Sequence, residues 1–395
     1  MQHFFVSWFT VLAVASAFPS GSQRRDSQVP VERTPSIVVN LEEIGWEPPP
    51  SVSNKTYFKD LTPDKLSAMD YATRVIFPDE DVIVVYHTKE NVKDCLNAPQ
   101  CIEAFFIRAS DGSLIATKRW PTALRKSQND LFDSEARLIA LHDGRFLVFA
   151  SGVITVYGKN FETFAQRKLE PITDMWTAAS VDNGNGVFLR GQSKTGDVVY
   201  SWLSSDTLEV KYATPGYRGR DFSVQEGLNA DSDSVLFASR NGIFSIDRDR
   251  HIKAICDDSL CREDGFLQMM SGPFVAWSSA YGFGIINAEK GGLVWSRTIQ
   301  PPSRRQDFQF GEIHSALRGT KFALWVKANK NTQFDRIDVG SEPTILVYDT
   351  AEPKELPTAI AVKPHGSQWD LALSPGGGKL GVFNGKTLQI FSLGR

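Results

Sequence analysis

Short apolar stretches alternate with polar turns along most of the chain. From Asp70 onward, runs rich in Val, Ile, Phe, Leu and Tyr are separated by Gly, Asp, Asn and Ser, and long amphipathic helical periods are absent. Short apolar runs bounded by turn residues are typical of β-strands. The pattern therefore predicts an all-β domain over residues 69–395.

A unit of strands and turns recurs along this domain. Each copy has an alternating strand, a polar turn, an apolar strand, a third strand ending near an acidic or small residue, and an outer polar strand. Residues 71–395 hold seven copies, a mean of about 46 residues, close to the ~40–50 residues of a propeller blade. We expect a seven-bladed β-propeller, with a pair of β-sandwiches as the alternative. The copies begin at Tyr71, Glu135, Trp176, Phe222, Phe266, Glu312 and Trp369.

Three copies depart from the regular unit. The first is stretched by the Cys95–Cys101 loop and by TALRKSQNDLFDSE, the sixth is stretched by NKNTQFDRIDVGSEP, and the last shows only three strands before Arg395. A ring with a missing strand would leave an open sheet edge. We therefore expect an N-terminal strand, around Ile37 to Leu41 or in the segment before Tyr71, to complete the last blade and close the ring.

One turn of the last copy resembles a known family motif. The sequence Leu373-Ser374-Pro375-Gly376-Gly377-Gly378-Lys379-Leu380 is similar to the S-P-D-G-K-x-L turn between the first two strands of WD40 and YVTN-type blades. Ile246-Asp247 and Tyr348-Asp349 occur where those families place a hydrophobic-Asp pair, at the end of the third strand. The Gly-His and Trp-Asp dipeptides of strict WD40 repeats are missing. The resemblance implies a divergent WD40/YVTN-like propeller over about four fifths of the chain.

The N-terminus has the pattern of an export signal. An apolar segment from Phe4 to Ala15 ends in the small-x-small sequence Ala15-Ser16-Ala17, which predicts a signal peptide over residues 1–17. The segment is short for a membrane span, which needs roughly 20 apolar residues; a buried N-terminal segment is the alternative. Residues 18–68 form a Pro- and Ser-rich tail, with a glycosylation triplet at Asn54. We expect a secreted protein, extracellular or periplasmic, without a membrane span.

The four cysteines fall into two close pairs, Cys95 with Cys101 and Cys256 with Cys261. Local pairs in an exported chain favour two short-loop disulfides. A four-thiolate metal site and free buried thiols are the alternatives, but the spacings of five and four intervening residues differ from the two of a zinc knuckle.

Charge and motifs exclude several classes of function. The chain has 43 Lys and Arg against 46 Asp and Glu, so its formal net charge is -3. This balance argues against a nucleic-acid binder, which needs a basic excess. The six histidines do not cluster, and no HExxH, G-x-S-x-G or phosphate-loop motif is present. We expect no cofactor and no bound metal.

The first strands of the units supply the candidate binding residues. In a propeller these strands line the central channel, and the loops that enter them form one face. Charged and aromatic side chains there could hold a polar ligand by charged hydrogen bonds and ring stacking. The alternative is that the tryptophans pack between blades and that the polar residues bond neighbouring strands. The candidates are Arg74, Arg137, Trp176, Gln225, Glu312, His314, Trp369 and Asp370.

The sequence therefore favours an exported propeller that binds a protein, a peptide or a saccharide on a loop face, without catalysis. This expectation rests largely on fold analogy. A propeller enzyme with a site at the channel mouth, either a metal-dependent lactonase-like hydrolase or a quinoprotein dehydrogenase, is the alternative. Glu312 and Asp370 are the carboxylate pair that acid/base chemistry would use.

Overall fold

The computed structural model describes most of the chain from residue 34 onward. The expected signal peptide, residues 1–17, and most of the tail, including Asn54, lie outside the described residues. The described residues are 34–47, 73–90, 95, 100–122, 137–150, 152–169, 172–193, 198–215, 226–228, 234–239, 242–247, 251–257, 259–262, 265–270, 273–279, 282–299, 307–311, 313–352, 354–363 and 369–394.

The described strands form six four-stranded sheets, one five-stranded sheet and one two-stranded hairpin, all antiparallel. We number the larger sheets I to VII by the position of their inner strand. Each strand of sheets I to III pairs with the next in the chain, as the turn residues between the apolar runs predict. Sheet I contains β2 (Arg74–Asp79), β3 (Val82–Glu90), β4 (Gln100–Arg108) and β5 (Leu114–Thr122); sheet II contains β6 (Arg137–Ala140), β7 (Phe146–Ala150), β8 (Val153–Tyr157) and β9 (Thr163–Lys168); sheet III contains β10 (Ile172–Val181), β11 (Gly186–Ser193), β12 (Val198–Ser204) and β13 (Val210–Pro215).

Sheets IV and V repeat this meander, whereas sheets VI and VII depart from it. Sheet IV contains β14 (Glu226–Leu228), β15 (Ser234–Ser239), β16 (Gly242–Asp247) and β17 (Ile252–Cys256); sheet V contains β18 (Gly265–Met269), β19 (Phe274–Ser279), β20 (Gly282–Asn287) and β21 (Leu293–Thr298); sheet VI contains β22 (Phe308–Phe310), β23 (His314–Ser315), β24 (Lys321–Ala328), β27 (Thr344–Asp349) and β28 (Thr358–Ala361); the hairpin is β25 (Thr332–Phe334) with β26 (Ile337–Val339); sheet VII contains β29 (Trp369–Leu373), β30 (Lys379–Asn384), β31 (Thr387–Ser392) and β1 (Ile37–Asn40).

Four short 3-10 helices lie in the connections of the described part of the chain: Leu41–Ile44, His142–Gly144, Asp182–Gly184 and Ser259–Arg262.

The sheets are arranged as a β-propeller. The inner strands β29, β2, β6 and β10 are neighbours, as are β14, β18, β23 and β29. Apolar side chains of successive sheets pack face to face, so the core is divided into clusters between sheets. Among the described residues such clusters lie between sheets I and II, II and III, IV and V, V and VI, VI and VII, and VII and I. The all-β propeller predicted from the sequence is therefore present.

The expected count of seven blades is not confirmed: six sheets are four-stranded blades, and sheet VI departs from the blade pattern with five strands. The inner position of sheet VI is split: β22 and β23 both pair with β24, and Gly311 interrupts them. A Cβ atom on Gly311 would collide with the indole ring of Trp325, so this position accommodates only a glycine beside that ring. The insertion in the same unit folds as the hairpin β25–β26.

Sheet VII is made from both ends of the described chain. The strand expected around Ile37 to Leu41 is β1, which pairs antiparallel with β31 so that Ile37 faces Ile390. A 3-10 helix follows, and the Asn40 side chain accepts a hydrogen bond from the backbone N–H of Glu42 at its start. Trp46 then packs with 2% of its surface exposed. We call residues 41–47 the strap.

Both cysteine pairs lie at disulfide distance. The Cα atoms of Cys95 and Cys101 are 6.2 Å apart, and those of Cys256 and Cys261 are 6.0 Å apart. In the part of the chain that the structure describes, no helix has the length and apolar character of a membrane span.

Candidate functional site

Five of the predicted site residues stand at the beginning of strands in the inner position of a sheet. Arg74 begins β2, Arg137 begins β6, His314 begins β23, and Trp369 and Asp370 begin β29. Because inner strands of a propeller run in the same direction along the channel, their first residues lie at the same end. We call this end, formed by Arg74, Arg137 and Asp370, the channel mouth; His314 follows β22 in the split inner position of sheet VI and lies deeper, on the channel wall beside Ala372 and Ile139.

The structure does not place the other three predicted site residues at the channel mouth. Trp176 lies in β10, at an irregularity in the pairing of β10 with β11. Gln225 and Glu312 lie outside the described residues. The carboxylate pair proposed for acid/base chemistry, Glu312 with Asp370, therefore has no described geometry.

Asp370 links sheet VII to sheet I. Its Oδ2 atom accepts a hydrogen bond of 2.8 Å from the backbone N–H of Val75, and its Oδ1 atom lies 4.0 Å from the guanidinium group of Arg74. Burial raises the pKa of the Asp370 carboxyl group, while the positive charges of His314 and Arg74 act in the opposite direction. Asp370 therefore hydrogen-bonds a neighbouring strand, which is the alternative to ligand binding that the sequence left open for the polar candidates.

We expect Asp370→Asn to stabilise the fold at neutral pH. Because the folded-state pKa of Asp370 is raised, the folded protein binds its proton more tightly than the unfolded chain, and stability falls as pH rises through this range. The asparagine Oδ1 atom still accepts from Val75 but carries no charge. The Tm of the variant should exceed that of the wild type by a few degrees at pH 7. This difference in Tm should vanish below the pKa of aspartate in the unfolded chain, about 3.9.

A second aspartate provides the control for this prediction. Asp111 lies at an exposed turn, where hydrogen bonds from Ser113 lower the pKa of its carboxyl group. Asp111→Asn removes a favourable charge interaction, so it should not raise Tm. Equal Tm changes for the two variants across the pH range would contradict the assignment of Asp370 as a destabilised carboxylate.

Tyr86 is a mouth residue that sequence analysis missed. It pairs with Arg74 across β2 and β3, is buried, and donates a hydrogen bond of 3.4 Å to the carbonyl oxygen of Leu138 in sheet II. Burial raises the pKa of its phenol group, and the charges of Arg74 and Arg137 oppose this shift. Both guanidinium groups are therefore close enough to act on one phenol group. Because Tyr86 lies in an apolar run, its sequence context does not mark it as a site residue. Only its cross-strand pairing with Arg74 could have indicated this role.

Trp369 packs between sheets VI and VII. Its ring centroid lies 5.2 Å from that of Trp325, with an interplanar angle of 51°, and both rings border the apolar cluster between these sheets. Lys327 extends its amino group to 5.8 Å from the Trp325 ring. Trp369 therefore packs between two sheets, which is the alternative to ligand stacking that the sequence left open for the tryptophans.

A cavity of about 260 Å³ lies along the central channel. Its wall begins at the residues next to the mouth, Val75 and Leu138, and His314 forms part of it. This volume is near the lower end of the range for small-molecule pockets, about 300–1,000 Å³. The lining residues are Val75, Ile76, Phe77, Leu138, Ile139, Ala140, Ala178, Ser180, Val181, Asp182, Asn183, Met270, His314, Ser315, Leu317, Ala372 and Leu373.

The opposite end of the channel is crossed by polar contacts between sheets. The Arg318 N–H donates to the carbonyl oxygen of Pro375 at 2.8 Å, and its guanidinium group lies 3.7 Å from the Asp143 carboxylate. Lys159 forms an ion pair of 2.6 Å with Asp79. These contacts join sheets VI, VII, I and II where the first strands turn back, so this end of the ring is braced.

Among the residues that the structure describes, no group of three or more His, Cys, Asp or Glu side chains could hold a metal ion.

Comparison with known proteins identifies the fold alone. No protein-family model and no curated protein sequence matches the chain. Among solved structures, the β-propeller domain of Cps50 (Swd1) from Myceliophteria thermophila is 10% identical, with a TM-score of 0.50 over 82% of this chain and 96% of that one. Raptor from Chaetomium thermophilum is 11% identical, with a TM-score of 0.51 over 87% of this chain and 31% of that one. A chain of the mitotic checkpoint complex is 12% identical, with a TM-score of 0.49 over the whole of both chains.

Proposed function

We propose that this chain is an exported, non-enzymatic β-propeller that binds a peptide segment of a protein partner at the channel mouth. The observation that carries the proposal is that Arg74 and Arg137 begin the inner strands of the neighbouring sheets I and II, with the Asp370 carboxylate of sheet VII 4.0 Å from the Arg74 guanidinium group. Guanidinium groups form strong, charge-assisted hydrogen bonds with carboxylates. Inner strands braced by neighbouring sheets hold such groups in fixed positions, which lowers the entropy cost of binding.

The ring architecture belongs to the same proposal. We infer that sheet VI is the seventh blade, and that the pairing of β1 with β31 closes the ring. The support is that sheet VI shares apolar clusters with both neighbours, sheets V and VII, and that the strap lies over the junction of sheets VII and I. Removal of the Trp46 side chain tests this closure.

Export is proposed from the N-terminal sequence and the two cysteine pairs at disulfide distance. N-terminal sequencing of the protein secreted by a eukaryotic host should give a chain that begins at Phe18. A product that retains Met1 and stays in the cell would contradict export.

Peptide binding is tested by panning a random peptide library against the mature chain. Enriched peptides should contain acidic residues. Their affinity for an Arg74→Gln/Arg137→Gln variant should fall at least about tenfold, because charge-assisted hydrogen bonds are lost. Arg108→Gln is the matched control. The Arg108 side chain is 50% exposed and the Arg74 side chain 51%, and both lie near an aspartate, but Arg108 is at an outer turn.

The outcomes separate the proposal from its rivals. Failure to enrich any peptide, or equal loss of affinity in the Arg108→Gln control, would contradict the peptide site. If a saccharide array instead gives ligands that depend on Arg74 and Arg137, the mouth is a carbohydrate site.

The second candidate is an enzyme with its site at the mouth. Burial raises the pKa of the Asp370 carboxyl group against the opposing charges of His314 and Arg74, and carboxyl groups with shifted pKa values occur at catalytic sites. A hydrolase activity of the wild-type chain that disappears in Asp370→Asn, while the variant keeps its fold, would favour this candidate.

A further inference from the structure

We propose that the cavity of the central channel binds a neutral polyol of monosaccharide size, held by polar side chains away from the channel mouth. The site is independent of the proposed peptide site, because it lies below the mouth and uses other residues. Three side chains of sheet III and one of sheet VI, all in the cavity wall, form it: Ser180, Asp182, Asn183 and His314.

The turn that follows the inner strand of sheet III has a counterpart in sheet II. Both are three-residue 3-10 turns that end in glycine, and their middle residues, Asp143 and Asn183, have φ angles of 55° and 52°. In sheet II the polar side chains have partners. The His142 ring lies 2.8 Å from the Asp143 carboxylate and 3.2 Å from that of Asp206, and Asp143 lies 3.7 Å from the Arg318 guanidinium group. Sheet II therefore uses this turn for contacts that hold the fold together.

In sheet III the equivalent side chains have no such contacts. Asp182 and Asn183 are half-buried and line the cavity, and the described residues supply no hydrogen bond or ion pair to either side chain. The Oγ atom of Ser180, two residues earlier in the cavity wall, is buried and also lacks a hydrogen-bond partner in the described part of the chain. Buried polar atoms without a partner are rare in folded proteins, and a bound molecule or water is a usual explanation.

His314 adds a polar group from another side of the cavity. It belongs to sheet VI, and the inner strands of sheets VII, I and II lie between it and sheet III along the ring. Its imidazole ring forms no hydrogen bond with a described residue. Inner strands are also the free edges of their sheets, so they present backbone N–H and C=O groups to the channel. The cavity therefore offers hydrogen-bonding groups on more than one side.

The hydrogen-bonding capacity of these side chains matches that of hydroxyl groups. The Asp182 carboxylate only accepts, whereas the Asn183 amide, the Ser180 hydroxyl and a neutral imidazole each donate and accept. A hydroxyl group does both, so neighbouring hydroxyls of a polyol can donate to the carboxylate and exchange bonds with the amide. The cavity volume of about 260 Å³ lies below the ~300–1,000 Å³ of pockets for drug-sized ligands, which suits a single sugar ring.

Other small ligands match these side chains less well. An apolar molecule would leave the carboxylate and the amide without partners. An anion would meet the like charge of Asp182. An ammonium ion would pair with Asp182, but it carries donors only and would leave the Asn183 amide hydrogens without an acceptor. A neutral polyol is the ligand class that satisfies both residues.

Saturation-transfer NMR of the mature chain with five neutral monosaccharides tests the proposal. The five are glucose, galactose, mannose, ribose and arabinose. We expect saturable binding of at least one of them, with a Kd of about 1 mM or below. Cyclohexanol has a ring of similar size but only one hydroxyl group, so its affinity should be at least about tenfold lower. Ethanolammonium is the cationic control, and it should bind more weakly than the best sugar.

A charge-removing variant tests the role of the carboxylate. Asp182→Asn keeps a residue type that tolerates a left-handed backbone, and it removes the charge-assisted hydrogen bonds to the sugar. Sugar affinity should therefore fall at least about tenfold. Asp111→Asn is the matched control, because Asp111 lies at an exposed turn away from the cavity wall. This control should bind the sugar as the wild type does.

Two buried serines give a second matched pair. Ser180→Ala should lower sugar affinity about threefold or more, because one hydrogen bond is lost. The Oγ atom of Ser278 in β19 is likewise buried without a described partner, but Ser278 does not line the cavity. Ser278→Ala should leave sugar affinity unchanged. Without sugar, neither variant should lower Tm, since neither hydroxyl has a described partner to lose. A fall in Tm in Ser180→Ala alone would assign that hydroxyl a structural role and remove it from the site.

Four results would overturn the polyol site: no saturable binding of any of the five sugars, equal affinity for cyclohexanol, tighter binding of ethanolammonium, or wild-type affinity in a folded Asp182→Asn variant. The first of these would make water the occupant of the cavity. If Asp182→Asn does not fold, Ser180→Ala decides in its place.

The two proposed sites can fail separately. Sugar binding that is lost in Arg74→Gln/Arg137→Gln but kept in Asp182→Asn would place the carbohydrate at the mouth and contradict the cavity site. Sugar binding that depends on Asp182, in a chain that enriches no peptide, would support the cavity site and contradict the peptide site. Peptide capture without sugar binding would have the opposite meaning.

Discussion

Phe283→Ala should lower the free energy of unfolding by about 3–5 kcal/mol. Phe283 is fully buried in β20, where its ring centroid lies 5.1 to 6.1 Å from five other aromatic rings. These rings belong to sheets V and VI and to the hairpin β25–β26, so the truncation leaves a cavity where three elements meet. The neighbouring rings are Trp295, Phe310, Phe322, Phe334 and Tyr348.

Urea unfolding followed by fluorescence measures this loss, with the slope of the transition as a check on cooperativity. Phe164→Ala is the control, because Phe164 is 54% exposed on the outer strand β9 and contacts only a guanidinium group of Arg145 among the ring contacts described for it. That variant should lose less than about 1 kcal/mol. A loss of similar size in both variants would show that the aromatic cluster does not hold sheets V and VI together.

Trp46→Ala should also cost about 3–5 kcal/mol, and it should free the N-terminal segment from the ring. The Trp46 ring lies 5.4 Å from Phe383 in sheet VII and 6.0 Å from His87 in sheet I. The backbone N–H of Trp46 donates to the carbonyl oxygen of Leu41 at 2.9 Å, which fixes the strap as a compact turn. Without the ring, the strap loses an apolar contact with both sheets, and Leu41 is the buried strap residue that remains.

Two measurements separate loss of closure from a general loss of stability. Limited proteolysis under native conditions should cut the Trp46→Ala protein within the strap before the sheets unfold, because local opening exposes that backbone. Val38→Ala is the control, since Val38 lies on β1 with its side chain 56% exposed. A Trp46→Ala protein that keeps wild-type stability and resists cleavage would contradict the role of the strap in closing the ring.

The repeated antiparallel sheet could be predicted from the sequence, because it depends on short apolar stretches that alternate with polar turns. The beginnings of the inner strands at Arg74, Arg137, His314 and Trp369 follow from the apolar residues after them and from the turns that end them. The sequence does not reveal contacts between sheets, because these join distant residues. The bond from the Val75 N–H to Asp370, across 295 residues, is such a contact.

Sheet VI was less predictable for a local reason. The hairpin β25–β26 turns at Asp335 and Arg336, whose φ angles are 47° and 65°. Tight hairpins of this kind usually carry Asn-Gly or Asp-Gly, so the turn has no strong signal. Its position is fixed instead by Asp335, which accepts hydrogen bonds from Arg297 at 2.7 Å and from Tyr348 at 3.1 Å. Partners in the folded sheets V and VI therefore make this conformation favourable.

The pairing of β1 with β31 sets the order in which the protein is completed during synthesis. The Ser36 hydroxyl donates to the carbonyl oxygen of Ile390, 354 residues later. A ribosome that adds about 5–20 residues per second supplies this partner roughly 20–70 s after Ser36 has been made. Throughout that interval β1 is an unpaired strand edge, open to association with other chains. Packing between sheets I to VI can precede this step, so in the proposed closed ring the pairing of β1 with β31 forms late and is exposed to misassembly until then.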